Sequence, residues 1–321
     1  MIAPFKFVPY LKPVLWGGDK IAPFKGVESD CDNIGESWEI SGVPGHESVV
    51  SEGPDKGLKL PQLVAKYGEA LMGRRVMEKY GATFPLLIKL IDAKKDLSVQ
   101  VHPDDELARR RHDSLGKTEM WYIVDTEPGA RIYAGLSREI TPDDYTRLVE
   151  EKKIMDVVAS HESAPGDIFF LPAGRIHAIG GGNLLAEIQE TSDITYRVYD
   201  FDRRDANGNP RELHTELAKD AIDYTVYPEY KGSYDKAAKG ETDLVECGHF
   251  DVRRVIVEGE NPVTVELDSF VVIMCLDGQC EIDACGVATP MHRGETILVP
   301  AESAASITAR GNAVLLTATA R

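Results

Sequence analysis

The stretch Gly166-Asp-Ile-Phe-Phe-Leu-Pro172 returns, in length and pattern, as Gly294-Glu-Thr-Ile-Leu-Val-Pro300. Each copy reads as a turn glycine, an acidic residue, four apolar or β-branched residues of strand character and a proline stop. A strand unit recurring among many short strands with Gly/Pro turns predicts a mainly β chain built as two jelly-roll barrels. Carried forward in register, the repeat sets Ala305 where the first copy has His177, so the second barrel is expected to lack a ligand there. Helical spacing is confined to the first part of the chain, whose barrel is expected to be enlarged by helices. The Lys-, Asp- and Gly-rich sequence from Tyr234 to Asp243 reads as a linker. The expected division is therefore a helix-containing domain over residues 1–236 and a smaller β domain over 237–321.

Local signals fill in the elements. Ile34 to Ser41 reads as a strand, and residues 60–80 read as two short helices interrupted near Gly68 and Gly73. Thr141 with Pro142 opens a helix expected to run to about residue 159. Residues 271–276 and 279–282, joined by Asp277-Gly278, predict a hairpin with a favoured turn pair.

The 321 residues carry 36 Lys and Arg against 53 Asp and Glu, a formal net charge of −17. Such a field repels a phosphate backbone and argues against nucleic acid as a partner. A small anionic substrate stays compatible, provided that local Lys and Arg reverse the field at its site. Lysines and prolines interrupt the N-terminal apolar residues, and no later run approaches the length of a membrane span, so no membrane association and a cytoplasmic location are expected. The five cysteines include no C-x-x-C pair, and neither a disulfide framework nor a zinc knuckle is expected.

The chemistry concentrates elsewhere. In Leu97-Ser-Val-Gln-Val-His-Pro103 the polar residues Ser98, Gln100 and His102 alternate with Leu97, Val99 and Val101, so a strand would send the two sets to opposite faces. Lys117-Thr-Glu119 again puts two charged residues on one face, and His177 follows an apolar strand in Pro172-Ala-Gly-Arg-Ile-His177. A lone histidine after a strand is usually a satisfied polar residue. Two imidazoles, a carboxylate and an amide oxygen on inward strand positions are better explained by one shared metal. That set suits one zinc ion per chain, although iron, manganese, cobalt or nickel accept the same donor types. Lys89 interrupts an apolar strand and Arg197 lies in Thr-Tyr-Arg-Val-Tyr199, so both place a cation where an anion or carbonyl is needed. The other histidines, His46 and His249 among them, lack a matched neighbour and are expected to be surface or structural.

These segments resemble the type I phosphomannose isomerases, zinc-dependent enzymes of the cupin superfamily, in their short bacterial form. The resemblance is carried by Gly35-Glu-Ser-Trp-Glu39, Leu63-Val-Ala-Lys-Tyr-Gly68, Pro85-Leu-Leu-Ile-Lys-Leu-Ile91, Leu97 to Asp104, Gly116-Lys-Thr-Glu-Met-Trp-Tyr122, Pro172 to His177 and Ser192 to Asp200. They run in family order through the first two-thirds of the chain, and the Gln-x-His-Pro and Lys-Thr-Glu pair is the specific part. The resemblance implies two cupin-like barrels and interconversion of mannose 6-phosphate and fructose 6-phosphate. It places Gln100, His102, Glu119 and His177 on the metal ligands, with a three-residue set lacking Gln100 left open, and Arg197 on the catalytic arginine.

Within that reaction the metal acts as a Lewis acid toward an enediolate. Lys117 and Arg197 are expected to flank the reacting carbons, while Ser98, Lys89 and Glu187 bind substrate. A desolvated lysine, Glu187 or a bound water remain alternative bases. A cupin-type glucose 6-phosphate isomerase is the nearest competing enzyme, although its His-x-His is replaced here by Gln100-Val-His102. A non-catalytic sugar-binding cupin would need neither Lys117 nor Arg197. Monomer and homodimer are both open.

Overall fold

In the computed structural model of the chain, which describes residues 1–204, 207–265 and 268–321, strands dominate and pair antiparallel in three sheets. The first barrel faces a seven-stranded sheet with a five-stranded one. The larger sheet contains, side by side, Ile168–Leu171, Glu119–Thr126, Asn183–Glu190 and Leu86–Ala93. The smaller contains Tyr196–Tyr199, Val99–Val101, His177–Ile179, Arg131–Leu136 and Val158–Glu162, in that order.

Period-two alternation decides which face is which. Leu86, Ile88 and Leu90, with Met120, Tyr122, Leu184, Ala186 and Ile188, pack outward into one apolar cluster. The residues between them turn inward, where Ile91, Trp121, Ile123 and Leu185 meet Ile132, Ala134 and Ile179 of the opposing sheet. The polar inward positions are Lys89, Glu119, Glu187 and Gln189. Cross-strand register sets Glu187 opposite both Lys89 and Trp121, and Gln189 opposite Glu119.

The C-terminal strands form the third sheet, rolled around its own apolar interior. The two copies of the repeat are its Thr296–Val299 and the first barrel's Ile168–Leu171, each entered from a glycine at positive φ (Gly294 +84°, Gly166 +79°). The mainly β expectation of two jelly-roll barrels, the first enlarged by helices, is the architecture of the chain. Phe5–Val8 crosses over to pair with Thr296–Val299, so the start of the chain is hydrogen-bonded into the C-terminal sheet.

Several local expectations are corrected. Residues 60–80 make three helical pieces rather than two, Leu60–Tyr67, Glu69–Met72 and Arg74–Tyr80, because Gly68 and Gly73 each break the helix outright. The helix opened by Thr141 spans Pro142–Glu150 and stops well short of residue 159. Lys152 turns left-handed (φ +57°), and Val158–Glu162 is already strand. No hairpin forms at Asp277-Gly278. Val271–Ala284 runs on as one strand beside Ile307–Ala320, with a bulge where the register shifts between Cys275 and Asp277 and the glycine paired with Ala313 just beyond it. Leu97 joins the inner cluster instead of sharing an outer face with Val99 and Val101, since regular alternation begins only at Val99.

Candidate active site

The two sheets of the first barrel converge on His102, Glu119 and His177. Glu119 opens its strand on the large sheet, His177 opens its strand on the small one, and His102 follows the end of Val99–Val101. All three are essentially without solvent exposure, and one ligand atom from each lies within 4.8 Å of the others.

The hydrogen bonding prepares this set for a cation. Each imidazole has its Nδ1 2.8 Å from a backbone carbonyl oxygen, Ile194 for His102 and Arg175 for His177. A carbonyl only accepts, so the proton is on Nδ1 and the lone pair is on Nε2. Those lone pairs face a carboxylate: His177 Nε2 is 3.3 Å from Glu119 Oε1, and His102 Nε2 is 3.6 Å from Oε2. Three electron-rich groups aimed at one another repel unless positive charge lies among them. Neither Glu119 oxygen has a hydrogen bond, and its nearest cation is the Lys117 ammonium, 2.8 Å from Oε2 and 3.1 Å from His102 Nε2. Burial pushes the Glu119 carboxyl up to about 7, with Lys117 pulling the other way. Burial also holds His177 down to about 4 and His102 well below the usual imidazole range. Neutral nitrogens and a buried carboxylate fit a divalent metal of the zinc class.

Gln100 is the cross-strand partner of both His177 and Arg197. Its amide Nε2 lies 3.3 Å from His177 Nε2, so a half-turn of the amide would bring Oε1 toward the same centre.

Beside the His102–Glu119–His177 set a second polar cluster lines the cleft. The buried Lys89 ammonium donates to Glu187 Oε1 (2.9 Å) and Gln189 Oε1 (2.8 Å), and lies 5.1 Å from the centre of the Trp38 ring. Trp121 Nε1 donates to the other Glu187 oxygen at 2.8 Å. Burial alone would raise the Glu187 carboxyl, but Lys89 and Lys117 outweigh it and hold the group down to about 2. Ser98, Gln100, Lys117, Glu187 and Arg197 all line one cleft of about 370 Å³. Arg197 reaches it with Nη1 donating to the Glu212 carbonyl, while its Nε is buried without a hydrogen bond.

Sequence reasoning missed part of this wall. Lys12, Glu36, Trp38, His46 and Arg211 also line the cleft. His46, expected to be merely surface or structural, stacks on Tyr10 at 4.8 Å and meets Trp38 edge-on. Glu36 and Trp38 were open to detection, since they share a strand face within the Gly35 to Glu39 motif. Lys12 and His46 stand in irregular sequence that offers no pattern.

The profile of the phosphomannose isomerase type I catalytic domain matches residues 5–130. The mannose-6-phosphate isomerase ManA of Bacillus subtilis is 35% identical over 300 residues, covering 92% of this chain and 93% of that protein. A mannose-6-phosphate isomerase of Streptococcus mutans is 36% identical over 222 residues, covering 69% of this chain and 68% of the relative. The crystal structure of mannose 6-phosphate isomerase from B. subtilis superposes with a TM-score of 0.87 at 31% identity, over 99% of both chains. Identity of 35% sustained over nearly the full length, with a shared fold, places this chain in the type I phosphomannose isomerase family.

Proposed function

We propose that the chain interconverts mannose 6-phosphate and fructose 6-phosphate at the His102–Glu119–His177 centre, with zinc as its metal and Gln100 as an optional fourth ligand. The observation that carries this reading is the pair of imidazoles whose Nδ1 atoms are tied to backbone carbonyls, which turns both Nε2 atoms toward one fully buried carboxylate whose nearest cation is the Lys117 ammonium. When bound there, zinc supplies Lewis acidity toward the carbonyl and neighbouring hydroxyl of the open-chain sugar, lowering the cost of an enediolate.

The chain's own groups do the rest. Lys117 Nζ lies within hydrogen-bond reach of two ligand atoms, and in this reading it carries the proton between C1 and C2. Glu187 is a poor base, because both its oxygens are engaged and its proton affinity is suppressed. Its role here is to hold Lys89 in place for a sugar hydroxyl. The Arg197 guanidinium, with Nε free of any hydrogen bond, takes an enediolate or phosphate oxygen. Ser98 on the same wall binds a sugar hydroxyl. These cations offset the field of an acidic protein at the cleft, which an anionic sugar phosphate requires.

Chelation followed by gel filtration should remove turnover of mannose 6-phosphate, and added Zn²⁺ should restore it. Full activity in the metal-free protein would reject the reading. The same coupled assay with glucose 6-phosphate should show no comparable turnover; a preference for that sugar would assign the site to the competing isomerase.

A further inference from the structure

On the outer face of the large sheet a second set of metal-ligating side chains closes up, separate from the first. Glu190 ends the strand Asn183–Glu190 one position beyond Gln189 and so faces away from the barrel interior. Asp105 opens the helix Asp105–His112, and His249 lies in the turn between the C-terminal strands Gly240–Glu246 and Phe250–Val263. Each brings one ligand atom within 4.8 Å of the other two. We propose that Asp105, Glu190 and His249 form a second divalent-cation site of the zinc class, joining the two barrels.

Two features carry it beyond mere proximity. Glu190 is 2% exposed, and its Oε1 has no hydrogen bond. His249 Nδ1 approaches that oxygen to 2.9 Å in an ion-pair contact by which Glu190 pushes the imidazole up, and neither atom makes any other hydrogen bond. Both carboxylates are pre-positioned by backbone. Thr118 N donates to Glu190 Oε2 and Gly116 N donates to Asp105 Oδ1, each at 2.8 Å. One free carboxylate oxygen, one imidazole nitrogen and a second fixed carboxylate make a donor set suited to zinc, cobalt or manganese, with positions left for water.

Charge balance points the same way. An imidazolium at His249 would offset one of the two carboxylates, whereas a dication offsets both. The nearby Lys79 ammonium is directed elsewhere, donating to the carbonyls of Gly248 and Arg321. The phenol of Tyr80 is pushed up by burial and then by the negative charges of Glu190 and Asp105. A cation here would pin the His249 turn of the C-terminal barrel, through Glu190, to the backbone one residue before Glu119.

The test is metal stoichiometry. Chelator-stripped full-length protein is titrated with Zn²⁺ or Co²⁺ and bound metal is counted after gel filtration, in the wild type and in a His102→Ala/His177→Ala background. The wild type should hold two equivalents and the background variant one. Adding His249→Ala to that variant should abolish the remaining equivalent. Asp105→Asn, which keeps an oxygen for Gly116 N and so preserves the fold, should weaken it at least tenfold. A background variant that binds no metal, or one whose binding survives both His249→Ala and Asp105→Asn, overturns the proposal. Failure of the first centre reads differently: the wild type would then hold a single equivalent that His249→Ala removes.

Discussion

Arg197 and Glu187 show how differently two charged residues of one cleft can be used. Arg197 Nε is buried with no hydrogen bond, and burial followed by repulsion from Arg211 lowers its proton affinity. That is a cation short of an anion. Arg197→Ala should therefore lower kcat/KM about 10²- to 10³-fold, with Arg197→Lys recovering only part; steady-state rates within a few-fold of wild type would remove it from the reacting atoms. Glu187 has its anion role filled already. Its folded value lies below the unfolded one of about 4.3, so the pair with Lys89 contributes stability that is complete above that pH and is lost as the pH falls toward 2. Denaturant titrations of Glu187→Gln between about pH 4.3 and 2 should give a shallower loss of stability than wild type, from a lower starting point because the buried Lys89 loses its carboxylate partner and keeps only the Gln189 amide oxygen. Equal slopes would show that the pair is not what fails in acid. In the sequence, Lys89 stood out as a charge breaking an apolar strand, whereas Arg197 was marked by its strand spacing and by the family resemblance. His249 was not: its partners Asp105 and Glu190 come from remote segments, and nothing in its own turn points to them.

A strand was readable from a continuous apolar run where both faces are buried, as in Leu86–Ala93, and the reading was ambiguous where one residue type serves two backbone purposes. Asp277-Gly278 is such a case. A glycine at positive φ suits a hairpin turn and a bulged strand equally, and only the pairing of Val271–Ala284 with Ile307–Ala320, continued past the bulge at Leu276, decides for the strand. The bulge brings backbones close: a Cβ at Gly278 would lie 2.1 Å from the Asn312 carbonyl oxygen. Gly286 has a comparable φ of +85° but open space around it. Gly286→Ala should therefore cost only the left-handed backbone penalty of about 1–2 kcal/mol, while Gly278→Ala should cost clearly more, read as a larger drop in denaturation midpoint. Equal losses would mean that the strand relaxes around the bulge. The helix opened by Thr141 teaches the complementary lesson. Its start was legible because Thr141 and Asp144 cap each other reciprocally. Its end was not, since Lys152 is a left-handed residue without the glycine that usually marks one.

The division of the chain at residues 236 and 237 is proposed from the composition of the linker, and an apolar core runs across it. One apolar cluster draws Phe5, Leu63, Val76, Phe84 and Ile88 from the first part, and Phe250, Val252, Phe270 and Leu316 from the second. Phe84 and Phe270 stack at 4.4 Å, and Phe270 is fully buried. Polar ties cross the same seam: Lys6 pairs with Glu295 at 2.9 Å, and Lys25 donates to the Gly294 carbonyl. A repeat in the sequence signals that two similar barrels exist. It is silent about the outer faces that pack against each other, because those side chains look like any buried strand positions. A core shared this widely makes the barrels unfold together. Calorimetry should give one endotherm, and Phe270→Ala, at a cost of about 3–5 kcal/mol, should lower that single transition without splitting it. A chain ending at residue 236 should fail to fold, since its apolar outer face would meet water; a soluble fragment with a cooperative melt of its own would show that the seam is an interface between bodies already stable alone.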